Sequence, residues 1–195
     1  MLKWFKKNER IPFENQLAAL DRIGIRLNDG VSPDVLIQEH SKEEYEEQPY
    51  YLLLLAMGSE VFDSDGKESY NSNDIWYLDT ECIEDHGDYV RVIKRIADLI
   101  QDDVVISDIS DYVDIENNEA RISFEVNGEF KKYDLAVDDD WLDINVFRIF
   151  SELLREHGSQ RQFFYSVVDQ SILVGIFTKE QFKEMRKLIN IFIPF

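Results

Sequence analysis

Two short runs, Ala120 to Val126 and Phe130 to Val137, flank the dipeptide Asn127-Gly128. Asn-Gly accepts the left-handed backbone of a tight two-residue turn, so this pattern predicts a β-hairpin and commits the region to antiparallel pairing. A second hairpin is expected where Phe163 to Val168 and Ile172 to Phe177 flank Asp169-Gln170, and Val104 to Ile115 reads as a long or bulged strand. Ile75 to Asp79 reads as one more strand.

Between these runs lie helical patterns. Tyr89, Val92, Ile93, Ile96, Leu99 and Ile100 recur at helical spacing and make the clearest amphipathic helix of the chain. Leu142, Val146, Ile149 and Leu153 form one stripe of a helix expected over 141–156, and Thr178 with Gln181 opens a last helix carrying Phe182, Met185, Leu188 and Ile189. Nearer the N-terminus, Phe13, Leu17 and Leu20 predict a helix over 13–23 that Gly24 stops. Asn28-Asp29-Gly30 is a turn, Ser32-Pro33 an N-cap with proline at the first helical position, and Ser41 with Glu44 a capping box. Pro49 interrupts the helix, and Tyr50 to Met57, apolar on every face, predicts a buried helix ending at Gly58. The turn-rich segment 59–74 reads as a loop. Helices first and hairpins later predict one α+β domain over 1–195, with a helical part at 13–58 and a mixed part at 75–195. The expected sheet is mostly antiparallel, of about five or six strands, with helices packed against it.

The charge is unevenly placed. Of a net −19, residues 58–147 carry 25 acidic against 7 basic side chains, while residues 148–195 carry 5 against 7. A concentrated acidic surface repels nucleic acid and anionic membrane and attracts basic proteins. Aromatics at 13% set the chain apart from disordered acidic tails. A single cysteine, Cys82, excludes an intramolecular disulfide, and no apolar run approaches a membrane span. The basic N-terminal segment from Met1 to Arg10 lacks the apolar stretch of a signal peptide. It reads as a cytoplasmic start, with Leu2, Trp4 and Phe5 packing on the domain.

Phosphate loops, GxSxG, HExxH and CxxC patterns are all missing, so the motifs imply no cofactor and no catalytic group. Asp63-Ser-Asp65-Gly66 does not fit a calcium loop, because Lys67 and Glu68 stand where that loop needs a carboxylate or amide and then glycine. Two acidic–aromatic runs remain. The first, from Trp76 and Tyr77 through Asp79, Glu81, Glu84, Asp85 and His86 to Asp88, gathers carboxylates and a histidine at a strand end. Its chemistry admits a solvated loop with Asp85 or Asp88 capping the next helix, a protein contact, or a divalent-cation and acid–base site. The second, Asp138-Asp139-Asp140-Trp141-Leu142-Asp143, predicts Asp140 as a helix N-cap and Asp143 in the first turn, and leaves Asp138 and Asp139 without a structural role.

The runs Trp76-x-x-Asp79-x-Glu81, Glu84-Asp85-His86-Gly87-Asp88-Tyr89 and Asp139-Asp140-Trp141-x-Asp143, in a chain of this size, charge and layout, resemble the immunity proteins of bacterial polymorphic-toxin systems. The resemblance implies a non-enzymatic protein that binds and neutralises a toxin, often a nuclease. A nuclease holds phosphates in a basic cleft, to which an acidic partner is steered. The partner surface expected on this reading comprises Trp76, Tyr77, Asp79, Glu81, Glu84, Asp85, Asp88, Asp138, Asp139 and Trp141. The competing readings are a small metal-dependent hydrolase using Asp79, Glu81, Asp85, His86 or Asp88, and a regulatory or scaffold module. If the two strand-to-helix junctions share an edge, their carboxylates meet on one face.

Overall fold

The computed structural model describes residues 10–62, 65–66 and 68–195. Leu2, Trp4 and Phe5, and Asp63 and Lys67 of the rejected calcium loop, lie outside them. The chain forms an α+β fold whose contacts group into two compact units, Met1–Tyr77 with Glu180–Ile191, and Leu78–Lys179 with Phe192–Phe195.

In the first unit the elements are α1 (Phe13–Arg22), a 3-10 turn (Pro33–Val35), α2 (Leu36–Glu39), α3 (Lys42–Glu47), α4 (Tyr51–Gly58), β1 (Glu60–Phe62), β2 (Glu68–Tyr70) and the start of β3 (Ile75–Asp79). The local signals act as their chemistry predicts. Ser32 caps the 3-10 turn with proline at its start, and Ser41 and Glu44 form both bonds of the capping box. Gln16 is fully buried and organises the helices: its Nε2 donates to the carbonyls of Ile11 and Tyr45, and its Oε1 accepts from the Tyr50 N–H at 2.7 Å. That last bond holds Tyr50 at φ 64°, the strained corner between α3 and α4. The segment 59–74 is not a plain loop: β1 and β2 pair in register, Glu60 with Tyr70 and Phe62 with Glu68.

The second unit contains α5 (Asp88–Ile100), β4 (Ile106–Asp114), β5 (Glu119–Val126), β6 (Glu129–Leu135), α6 (Asn145–Glu156), β7 (Arg161–Val168), β8 (Ser171–Thr178) and β9 (Ile193–Pro194). α7 (Lys179–Leu188) leads back into the first unit. Asn127 and Gly128, at φ 51° and 84°, turn β5 into β6. A register shift between Ser107 and Ser110 makes β4 the bulged strand its length suggested. Among the described residues the strands form three antiparallel sheets, ordered β1-β2, β4-β5-β6 and β3-β8-β7-β9, in place of a single sheet of five or six strands.

β5 alternates in burial, and its inner face brings Phe124 onto Phe150 of α6 with ring centroids 5.0 Å apart. The apolar stripe of α5 is buried along its length. α6 lies against β7 through Phe147 and Phe163 at 5.5 Å, and Phe195 stacks on both Phe147 and Tyr165. Among the described residues, no helix is long and apolar enough to cross a membrane.

Candidate functional site

Within the second unit, residues 80–83 of the first acidic run are bonded through the main chain to residues 138–142 of the second. Glu81 and Trp141 form an isolated antiparallel bridge. The N–H groups of Cys82 and Ile83 both donate to the Asp140 carbonyl, at 3.0 and 2.9 Å, and Leu142 N–H donates to the Thr80 carbonyl at 2.7 Å. Thr80 also holds the β7–β8 turn: its N–H and its Oγ1 donate to the Gln170 carbonyl at 3.1 and 2.6 Å. Gln170 returns a bond from Nε2 to Glu81 at 3.1 Å. Beneath them the buried Tyr89 hydroxyl accepts from Asp143 N–H at 3.0 Å. Burial, with the Asp143 carboxylate nearby, pushes the Tyr89 phenol up to about 12.

This pairing explains a departure from the sequence pattern. α6 starts at Asn145 rather than near Trp141, because residues 138–142 spend their backbone groups on the bridge. Asp140 is therefore not an N-cap. Asp143 serves the helix start instead: its Oδ1 accepts from the N–H and side-chain amide of Asn145, and its Oδ2 accepts from Ala136 N–H.

The start of α5 is organised by carboxylates, one of them remote. Asp88 Oδ2 accepts the N–H groups of Glu84 and Asp85, closing the loop before the helix. Gly87, at φ 101°, occupies the N-cap position with no side chain to offer. Asp111 of β4 supplies the missing acceptor, taking Gly87 N–H on both oxygens at 2.9 Å and Val90 N–H at 3.1 Å. Asp85 Oδ1 lies 3.1 Å from His86 Nδ1.

The expected surface residues separate as follows. Asp79, Glu81, Glu84, Asp85, Asp138, Asp139 and Trp141 are exposed, and Asp88 is half-buried. Trp76 is a correction: at 3% exposure, with its ring edge-on to Tyr70, it is a core residue of the first unit and offers no surface. Tyr77 is half-buried in that same unit. Among the described residues, no Lys or Arg forms an ion pair with Asp79, Glu81, Glu84, Asp88, Asp138, Asp139, Asp143 or Asp169. No group of three or more His, Cys, Asp and Glu side chains is placed to hold a metal ion among those residues.

Beside the bridge runs an open groove of about 380 Å³, lined by Thr80, Asp138, Trp141, Ile144, Val167, Asp169 and Ile172 among others. Trp141 is 37% exposed and Val167 66%. Val167 and Asp169 carried no functional signal in the sequence, where they read only as the end of a strand and its turn. Their place beside Trp141 follows from Thr80 clasping the Gln170 carbonyl, a bond across 90 residues. No protein-family model, curated protein or solved structure matches the chain.

Proposed function

We propose that this chain is a non-enzymatic binding protein that neutralises a basic protein by covering its cationic cleft, as an immunity protein does for a bacterial toxin such as a nuclease. The observation that carries the reading is the backbone bridge that joins residues 80–83 of one acidic run to residues 138–142 of the other, beside an exposed tryptophan. Clustered carboxylates with no basic partner raise the free energy of the isolated protein, and a cationic partner relieves that repulsion. An exposed indole beside such carboxylates is the kind of side chain that anchors protein interfaces. The reading places the protein in the cytoplasm of the cell that must be protected.

The test begins with the genes that flank the one for this chain: a large protein with a basic C-terminal domain is expected among them, and that domain is co-expressed with this chain. Rescue of growth is expected, with an association rate that falls steeply between about 0.01 and 1 M salt, over which the screening length shrinks from about 30 to 3 Å. Absence of rescue, or an association rate flat across that range, would falsify the reading.

A further inference from the structure

We infer that the groove beside Trp141 seats an extended, arginine-bearing segment of the basic partner, its backbone bridged to Val167 and its guanidinium on the Trp141 indole. The inference rests on the reading above and specifies where and how the partner is held.

The edge of β7 is only partly covered. β9 pairs with Phe164 and Tyr165 alone, and Phe195 N–H donates to the Phe163 carbonyl. Backbone groups along a strand alternate in direction, so Val167, like Phe163, directs its N–H and carbonyl toward the β9 side. β9 ends before reaching it. The register agrees: Val168 pairs with Ser171 across the two-residue turn, which places the hydrogen-bonded pairs with β8 at the even-numbered residues of β7. Val167 thus offers an unpaired strand edge and a 66%-exposed β-branched side chain at the groove wall. Such an edge is a template for a strand supplied by another chain.

The groove selects the charge of the occupant. Asp138 and Asp169 line it, neither is ion-paired to a basic side chain among the described residues, and Trp141 supplies an aromatic face beside them. A planar guanidinium stacks on such a face and binds carboxylates through its fork of donors, which an ammonium cannot do. The chain already contains this contact elsewhere: the Arg121 guanidinium sits 4.2 Å from the Tyr112 ring centroid. The groove, of about 380 Å³, has room for one or two side chains of such a segment.

The probe is a capped pentapeptide alternating valine and arginine, titrated at low salt into the full chain and followed by heteronuclear NMR. Saturable shifts at the Trp141 indole N–H and the Val167 amide are expected. Replacing arginine by lysine should weaken binding about threefold, and Val167→Lys or the Asp138→Asn/Asp169→Asn pair about tenfold. Asn accepts the left-handed backbone of Asp169 at φ 57°, so the pair leaves the turn intact. Shifts confined to Glu84–Asp88, or an unchanged affinity on Val167→Lys, overturn this inference while the broader reading stands. Failure of the peptide to bind saturably also overturns it, and growth rescue then decides the broader reading independently.

Discussion

Replacing Asp111 with alanine should unseat α5. The helix begins at Gly87-Asp88 without a capping side chain of its own, and three contacts from Asp111 take the place of that cap. Loss of an N-cap costs about 1 kcal/mol, and hydrogen bonds to a charged acceptor lie at the upper end of the usual range. Asp111 is half-buried and also closes the angle between β4 and the helix. Against this, one negative charge leaves an acidic neighbourhood, which returns a few tenths of a kcal/mol. The net expectation is a loss of about 1–2 kcal/mol, or a fall in Tm of roughly 3–6 °C for a chain of this length.

Two comparison variants isolate the cause. Asp111→Asn keeps an acceptor oxygen and should lose less than half as much. Asp98→Ala removes an exposed carboxylate from the last turn of the same helix, where the helix dipole disfavours it, and should stabilise by a few tenths of a kcal/mol. Urea unfolding followed by circular dichroism gives all three values. An Asp111→Ala protein within about 0.3 kcal/mol of wild type would refute the account, because the helix would then start equally well without its remote cap.

Further outcomes follow from the same contacts. Thr80→Val removes the Oγ1–Gln170 bond of a buried residue and should cost about 1 kcal/mol in urea unfolding; Asp138→Asn, which touches no hydrogen bond of the framework, should leave the midpoint unchanged or slightly raised. Gly175→Ala would set a methyl carbon 2.2 Å from the buried Phe177 ring, and a loss of about 1–3 kcal/mol is expected by thermal unfolding. Burial raises the Tyr45 and Tyr89 phenols to about 12 from 10.0, so between those values the native state holds protons that the unfolded state has released. Stability conferred below pH 10 should therefore decline as pH rises toward 12. Tyrosinate absorbance should show these two groups ionising only as the fold is lost, and their titration near pH 10 in the intact fold would contradict it.

What the sequence discloses depends on how far apart the interacting groups lie. The α5 stripe, the Asn127-Gly128 turn and the Ser41 capping box are local patterns whose partners stand within a few residues, and each appears as its spacing predicts. β1 and β2 escape notice because Glu60-Val61-Phe62 and Glu68-Ser69-Tyr70 are too short to establish an apolar alternation. Trp76 reads as a surface aromatic from its acidic neighbours, yet Ile75, Trp76 and Leu78 are all buried, so β3 lacks the alternation that would have marked one wet face. The start of α6 is misplaced for a different reason. Asp140 has the side chain of a cap, but its carbonyl answers to N–H groups more than fifty residues earlier, and no local pattern encodes that competition. Asp111 is the same case in reverse, a strand carboxylate whose role depends on a helix end 24 residues away.

The bridge that joins the two acidic runs is made by main-chain groups, which leaves the Asp138, Asp139 and Asp169 carboxylates out of it. The bonds that tie residues 80–83 to 138–142 are main chain to main chain, and Thr80, Gln170, Tyr89 and Asp143 lock them from below or beside. The Asp138, Asp139 and Asp169 side chains stand exposed on that framework, to which Asp138 contributes only its carbonyl, accepting Trp141 N–H at 3.0 Å. Repulsion among them would push two flexible loops apart, so keeping them together requires bonds that do not depend on the carboxylates themselves. The bridge meets that requirement. It also makes two classes of residue separable by experiment: substitutions in the framework should be read out in stability, and substitutions of the carboxylates it carries in the capture of a cationic partner.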